Sequence, residues 1–417
     1  MGASNAATDH HPGPSEIARR FAEFGESNRN YSPLYSRLST RAARDPDLVA
    51  LLADARPGQR RPVLAFAAVH HLLLGGADHR LRRFYPSLGG GAGAGDPDDL
   101  WLAFRDFCLA NRDELVEIVS SRNTQTNEVG RCAGLYPALR LAARLAGGPL
   151  ALVEIGSSAG LNLRVNRYAY RYSTGATAGD PDSPLRIDCH LAGPFAPDLA
   201  PPSSPDPAPE RGRAGAGGLP LAARVGVDLA PVDVADDDAV RWLAACVYAD
   251  QTDRLARLRA AVEIARRDPV PQVAGNALDV LPEVLAGLPA DATACLLHTW
   301  VVTYFPREAR TRLVTMLGEL AARRPLLWIA SEPGGTLPGL DEHAPDPGSG
   351  SSMLALARLD GPDAVGGPEP GPRWRMLGRM QAHGAWLRWF DGDSGHPLPP
   401  PGPDPARYRA SPSAYPT

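Results

Sequence analysis

The sequence predicts an α/β protein: a doubly wound, mostly parallel sheet that ends in an antiparallel hairpin and follows an all-α N-terminal domain. Three observations predict it. Up to about Ala146 the chain has helical periodicity and no strand signal. Beyond Pro149, short apolar runs alternate with amphipathic helical stretches. The first of those runs, "ALVEIGSSAGLNL" from Ala151 to Leu163, ends in two glycines set among small residues. A simple turn needs one such residue, so the second asks what comes close to this backbone.

The elements follow in order. Residues 1–14 and 396–417 are rich in Pro, Gly and Ser and are expected to be disordered. The helical domain spans 15–146. "SEIARRFAEF" offers Ser15 as an N-cap, "PVLAFAAVHHLLL" starts on Pro62, and "DPDDLWLAFRDFCLANRDELVEIVSS" sets Leu100, Phe104, Phe107, Leu115 and Ile118 on one face behind a capping Asp96. The α/β domain spans 147–395. Its candidate strands are "LALVEI", "ARVGVD", "PQVAGNALD", "TACLLHTW" and "PLLWIA", with helices such as "DDAVRWLAACVYADQTDRLARLRAAVEIARR" and "REARTRLVTMLGELAARR" between them. "WRMLGRMQAHGAWLRWF" reads as a hairpin turning on His383-Gly384. Segments from Pro86, Pro194 and Glu332 carry no hydrophobic period and read as loops.

Composition excludes several classes. Hydrophobic content of 44% with 22% charged residues is that of a soluble globular protein. No apolar run approaches the roughly 20 residues that span a bilayer, and the start has no cationic or apolar signal region. The chain has no lysine; all 43 basic residues are arginine. A P-loop and Schiff-base catalysis both need that amine, so both are excluded. A net charge of −4 with scattered arginines leaves no basic face for nucleic acid. Five dispersed cysteines without a CxxC point to a reducing cytoplasm and to no metal site.

Ligands of such sheets bind outside the carboxyl ends of the strands, at the switch point. The dinucleotide pattern G-x-G-x-x-G fails here, because Ser158 and Leu161 stand where glycines are needed; this disfavours nicotinamide chemistry. Glu154, Gly156 and Gly160 fit E-x-G-x-x-x-G instead, which resembles the first motif of the class I S-adenosylmethionine-dependent methyltransferases. "VGVDLAPVD", ending its strand in Asp228, and "VAGNALDVLP", with Asn276, resemble the second and third motifs. The resemblance implies that Glu154 orients the methionine end of S-adenosylmethionine while Gly156, Ser158, Gly160 and Asn162 line the loop against it. It further implies that Asp228 bridges the ribose hydroxyls and that Asn276 accepts from the adenine amine. A bare strand-to-helix turn without ligand is the alternative for the loop alone. Asp228 follows the loop much later than the pattern expects, so residues of about 165–222 form an insertion. Within it Tyr168, Tyr170 and Tyr172 alternate on one face of a strand, a half-buried sheet face or a substrate shelf.

The segments "FAAVHHLLL", "FRDFCLANRDEL", "QTNEVGRC", "EIGSSAGLNL", "ADQTDRLARLRAA" and "HTWVVTYFP" also resemble a bacterial family known only as domain of unknown function 2332, from about Ile17 to about Pro338. That resemblance implies a methyltransferase-like fold behind a helical region, and no reaction. His298 and Tyr304 of "HTWVVTYFP" follow the strand where an acceptor meets the methyl group in this fold. His298 is a candidate base or a hydrogen-bonded core histidine; Tyr304 is a candidate substrate contact or a rim residue. The polar run "NTQTNEVGR" places Gln125, Thr126, Asn127 and Arg131 as candidate substrate ligands and Glu128 as a third catalytic candidate; a solvated helix junction is the alternative. The expected function is methyl transfer to a small molecule, against a non-catalytic ligand-binding protein on the same fold. Neither the acceptor atom nor the oligomeric state follows from the residues.

Overall fold

Proline opens the first five helices. α1 (Pro14–Ser27), α2 (Pro33–Ala42), α3 (Pro46–Ala50), α4 (Pro62–Leu74) and α5 (Pro97–Ala110) all start on it, where a missing N–H costs nothing. Ser32, Asp45 and Asp96 cap three of them through side-chain oxygens. The computed structural model describes residues 13–56, 59–91, 96–199, 218–340, 350–360 and 372–390. The N-terminal residues 1–12 and the tail 396–417 lie outside the described residues. Two expectations change here. Ser15 does not cap α1: Pro14 fixes a helical φ one residue earlier, so the cap position falls on Gly13. The long helix after Asp96 breaks at Asn111, whose side-chain amide bonds back to the Phe107 carbonyl at 2.8 Å, and α6 (Arg112–Ser121) begins anew.

α7 (Cys132–Ala146), α8 (Asp237–Ala245), α9 (Thr252–Arg267), α10 (Ala277–Ala286) and α11 (Arg307–Ala321) complete the α-helices among the described residues. The chain divides into two compact units: one of residues up to Thr126 plus Asp233–Arg259, the other of Asn127–Val232 and the remainder. Among the described residues the first has helices and no strand. Its core of Phe21, Tyr35, Phe66, Phe104 and Phe107 takes in Trp242 and Ala245 from α8, and the buried His70 of α4 bridges the Ala245 carbonyl and Ser87. The boundary expected at 146 therefore falls at 126. Covalent order hid this, because α8 arrives from beyond the first parallel strands.

The second unit is α/β. Its strands are β1 (Leu150–Ile155), β2 (Ala169–Tyr172), β3 (Thr177–Gly179), β4 (Arg186–Leu191), β5 (Leu221–Asp228), β6 (Gln272–Ala274), β7 (Thr293–Thr299), β8 (Leu326–Glu332), β9 (Ser351–Leu359), β10 (Arg375–Gln381) and β11 (Trp386–Trp389). They form one sheet in the order β3-β2-β4-β11-β10-β9-β8-β7-β1-β5-β6. β6, β5, β1, β7 and β8 are mutually parallel, while β8 to β11 run as an antiparallel meander. β1 and β8 are buried at every residue, as their unbroken apolar runs require for strands covered on both faces. Ala151, Val153 and Ile155 face a core with Leu281 of α10 and Leu313 and Leu317 of α11. Glu154 points to the opposite face, since side chains alternate along a strand. From β1 the chain goes to β5 on one side and later to β7 on the other, so the order reverses at β1.

The insertion extends this sheet: β2 to β4 join it through a parallel contact of β4 with β11. Tyr168, Tyr170 and Tyr172 are all in the core. Their hydroxyls donate to the carbonyls of Leu161, Val165 and Ala133 at 2.6, 2.5 and 2.8 Å. They are the core side of a half-buried strand whose Arg171 faces out, and not a shelf; two of the hydroxyls prop the segment that follows the glycine loop and the third holds α7.

Candidate functional site

The glycine loop leaves β1 through three left-handed residues: Gly156 at φ +70°, Ser158 at +51° and Gly160 at +64°. A 3-10 segment, Leu161–Arg167, then begins. The amides of Gly156, Ser157, Ser158, Gly160 and Leu161 are satisfied by the chain itself. Gly156 and Ser157 donate to the Val227 carbonyl, Ser158 to Asp228 Oδ2 at 2.9 Å, and Leu161 to Asn127 Oδ1 at 3.0 Å. What comes close to the bare backbone is also internal. A Cβ on Gly156 would sit 2.5 Å from Val301 Cγ2, and one on Gly160 would sit 2.1 Å from Gln272 Nε2. Gln272 is anchored by Ser157, whose hydroxyl donates to its Oε1 at 2.7 Å.

Two carboxyl groups flank the loop. Glu154 is buried; its Oε1 accepts from Asn162 Nδ2 at 2.9 Å, and its Oε2 is buried without a partner. Burial pushes its pKa up to about 8; nearby Asp228 adds to the rise, and Asn162 and Arg131 oppose it. Glu154 is thus a neutral acid at pH 7. Asp228, half-buried at the end of β5, accepts from Ser158 N–H and, at 2.9 Å, from Ala230 N–H. Asn276 caps α10: its Oδ1 accepts from Leu278 N–H at 3.0 Å, so the oxygen expected to meet adenine already has a donor.

The polar run divides. Gln125 and Thr126 belong to the helical unit, and Asn127, Glu128 and Arg131 to the α/β unit. All three of the latter are buried. Asn127 ties the start of the 3-10 segment, and Glu128 Oε1 accepts from Gly130 N–H at 3.0 Å. Arg131 donates to the Ala382 carbonyl at 2.8 Å and to the carbonyl and hydroxyl of Thr299 at 3.2 and 3.1 Å. It thereby links the end of β7 to the β10–β11 turn.

His298 is fully buried, on the face opposite Glu154, with Nδ1 2.7 Å from Glu332 Oε1. Glu332 also accepts from the N–H groups of Val301, Val302 and Thr303 at 3.0, 3.1 and 3.3 Å. This clasp shapes the turn that brings Val301 to Gly156 and sets Trp300 at φ +55°, a strained value for a bulky residue. Tyr304 is 67% exposed at the carboxyl edge. Sequence reasoning missed Gln272, Trp300, Val301 and Glu332. The last carried a signal: an acid closing an apolar strand, as in β1 and β5.

Two open hollows of about 300 Å³ each lie elsewhere, one in the helical unit beside Arg37 and Trp101, the other at the amino ends of β7 and β8. Neither joins the groups above, and the carboxyl edge is the stronger candidate because its buried polar groups converge. Among the described residues no three His, Cys, Asp or Glu side chains gather as a metal site, and no helix is long and apolar enough to cross a membrane. A family model described as an uncharacterized protein conserved in bacteria (DUF2332) matches residues 18–389, farther than the segments ending at Pro338 suggested. No curated protein and no solved structure matches the chain.

Proposed function

The chain belongs to this bacterial family of uncharacterised proteins, and we propose that it is a cytoplasmic methyltransferase-like enzyme that uses S-adenosylmethionine to methylate a small molecule. The observation that carries the reading is the placement of Glu154 and Asp228 on either side of a left-handed glycine loop at the point where strand order reverses. The donor set suits the ligand. The buried, unpartnered Glu154 Oε2 would accept from an ammonium group once ionised, and the arriving cation would favour that ionised form. Each Asp228 oxygen, engaged by one backbone N–H, keeps a second lone pair for a ribose hydroxyl. Bound S-adenosylmethionine would supply an electrophilic methyl group. The chain's own part would be to orient it between the two acids and to hold an acceptor near Thr299 and Trp300.

Calorimetric titration of the full chain with S-adenosylmethionine tests this. Asp228→Asn should weaken binding by about 1.5–3 kcal/mol, the range for hydrogen bonds to a charged group, while the melting temperature stays within a few degrees. A wild-type chain that binds nothing at millimolar ligand refutes the reading. A second reading, ligand binding without catalysis, is favoured by one observation: the histidine at the end of β7 is 0% exposed and held by Glu332. Binding without transfer to any acceptor would support it.

A further inference from the structure

His298 is fully buried, and the same edge of the sheet carries another, partly exposed histidine. His383 sits in the β10–β11 turn, 26% exposed, with Nδ1 3.7 Å from Oε2 of the buried Glu128. We propose that His383, oriented by Glu128, is the general base of this site, for an acceptor such as a hydroxyl that must lose its proton on methylation. The inference rests on the methyl-transfer reading above.

The turn is built to hold that ring. His383 N–H donates to Gln381 Oε1 at 2.7 Å, and the preceding Ala382 carbonyl accepts from Arg131. Two glycines let the backbones touch. A Cβ on Gly130 would fall 2.2 Å from the His383 carbonyl oxygen, and one on Gly384, at φ +76°, would fall 2.0 Å from the Gly130 oxygen. Glu128 is held in turn by Gly130 N–H through its other oxygen. A carboxylate that closes on Nδ1 would select the tautomer whose Nε2 accepts a proton, and it would stabilise the imidazolium that forms. The separation exceeds a hydrogen bond, and such contacts commonly tighten when ligand arrives.

The placement fits the task. Asn127, next to Glu128, bonds the residue that follows Gly160, and Arg131 bonds the end of β7. The pair therefore stands on the segment that joins the glycine loop to the acceptor edge. Among the described residues, the charged and titratable groups that reach this turn include Glu128 and Arg131 on that segment and His190 on β4, whose backbone N–H bonds the Ala385 carbonyl. In the step itself the acceptor O–H bond breaks and the proton passes to Nε2. The oxygen pair forms the new O–C bond, and the C–S pair leaves with the thioether sulfur.

The test uses the full chain with histidines labelled for NMR, His383 being assigned through His383→Gln. Glu128→Gln keeps an oxygen for Gly130 N–H while removing the charge. It should lower the proton affinity of His383 at least tenfold. Saturating S-adenosylhomocysteine should slow carbethoxylation of His383 by diethyl pyrocarbonate at least fivefold, read by peptide mass spectrometry. An unchanged His383 titration in Glu128→Gln overturns the pair, as does calorimetrically bound S-adenosylhomocysteine that leaves His383 equally reactive. If S-adenosylhomocysteine and S-adenosylmethionine both fail to bind, the cofactor reading falls, and the base assignment falls with it even where the titration couples the two side chains.

Discussion

The substitution Glu154→Gln should make the protein progressively more stable than wild type as pH rises. A neutral carboxyl and an amide have the same shape, and the introduced amide could still accept from Asn162 through its oxygen. The difference lies in the proton. The unfolded chain releases it near the ordinary value of 4.5, whereas the folded chain keeps it to about 8. Between those values the native state binds more protons than the unfolded state, so wild-type stability declines as pH increases. The size is at most about 1.4 kcal/mol per pH unit, and about 2.5 kcal/mol from pH 5 to pH 7. An amide has no such proton to lose. Urea unfolding of both proteins at half-unit intervals from pH 5 to pH 8, followed by fluorescence, gives the difference directly, and all other titrating groups cancel. A constant difference across that range would refute the neutral acid, and with it the idea that burial dominates this site.

Two further outcomes follow from the turn after β7. Glu332→Ala strands His298 and three backbone N–H groups and should cost about 3–5 kcal/mol by urea unfolding, with Glu332→Gln costing less; an effect under about 1 kcal/mol would dissolve the clasp. Gly156→Ala should cost about 1–3 kcal/mol from its positive φ together with its contact with Val301. Adding Val301→Ala should recover the contact portion alone, so strictly additive losses would show that the two residues do not touch.

Much of the sheet was legible because β1, β5, β7 and β8 are apolar runs that end in a small or acidic residue, and because His383-Gly384 marks a turn between apolar-rich runs. β9 was not. Its first residues, Ser351 and Ser352, continue a Gly- and Ser-rich stretch, and only pairing with β8 and β10 makes "SSMLALARL" a strand. The glycine loop was found, but its neighbours were not. Gln272 and Val301 reach Gly160 and Gly156 across the sheet, and no local pattern encodes such an approach. Local spacing likewise could not distinguish His298 from His383: one ends a strand inside the core, the other sits on a turn pinned by Arg131.

The return of α8 to the helical unit bears on how the chain is made. Synthesis runs from the N-terminus, and domains generally fold as units as they emerge. The helical unit begins first, yet it lacks Trp242, Ala245 and Ala249 of its core until β1 to β5 have all been translated. Until then His70 has no Ala245 carbonyl to bond, and the face of α4 that receives α8 stays open. A nascent chain stalled at Thr126 would expose that face to chaperones, and a fragment cut there should not close its core. The first unit to leave the ribosome has to wait for the second.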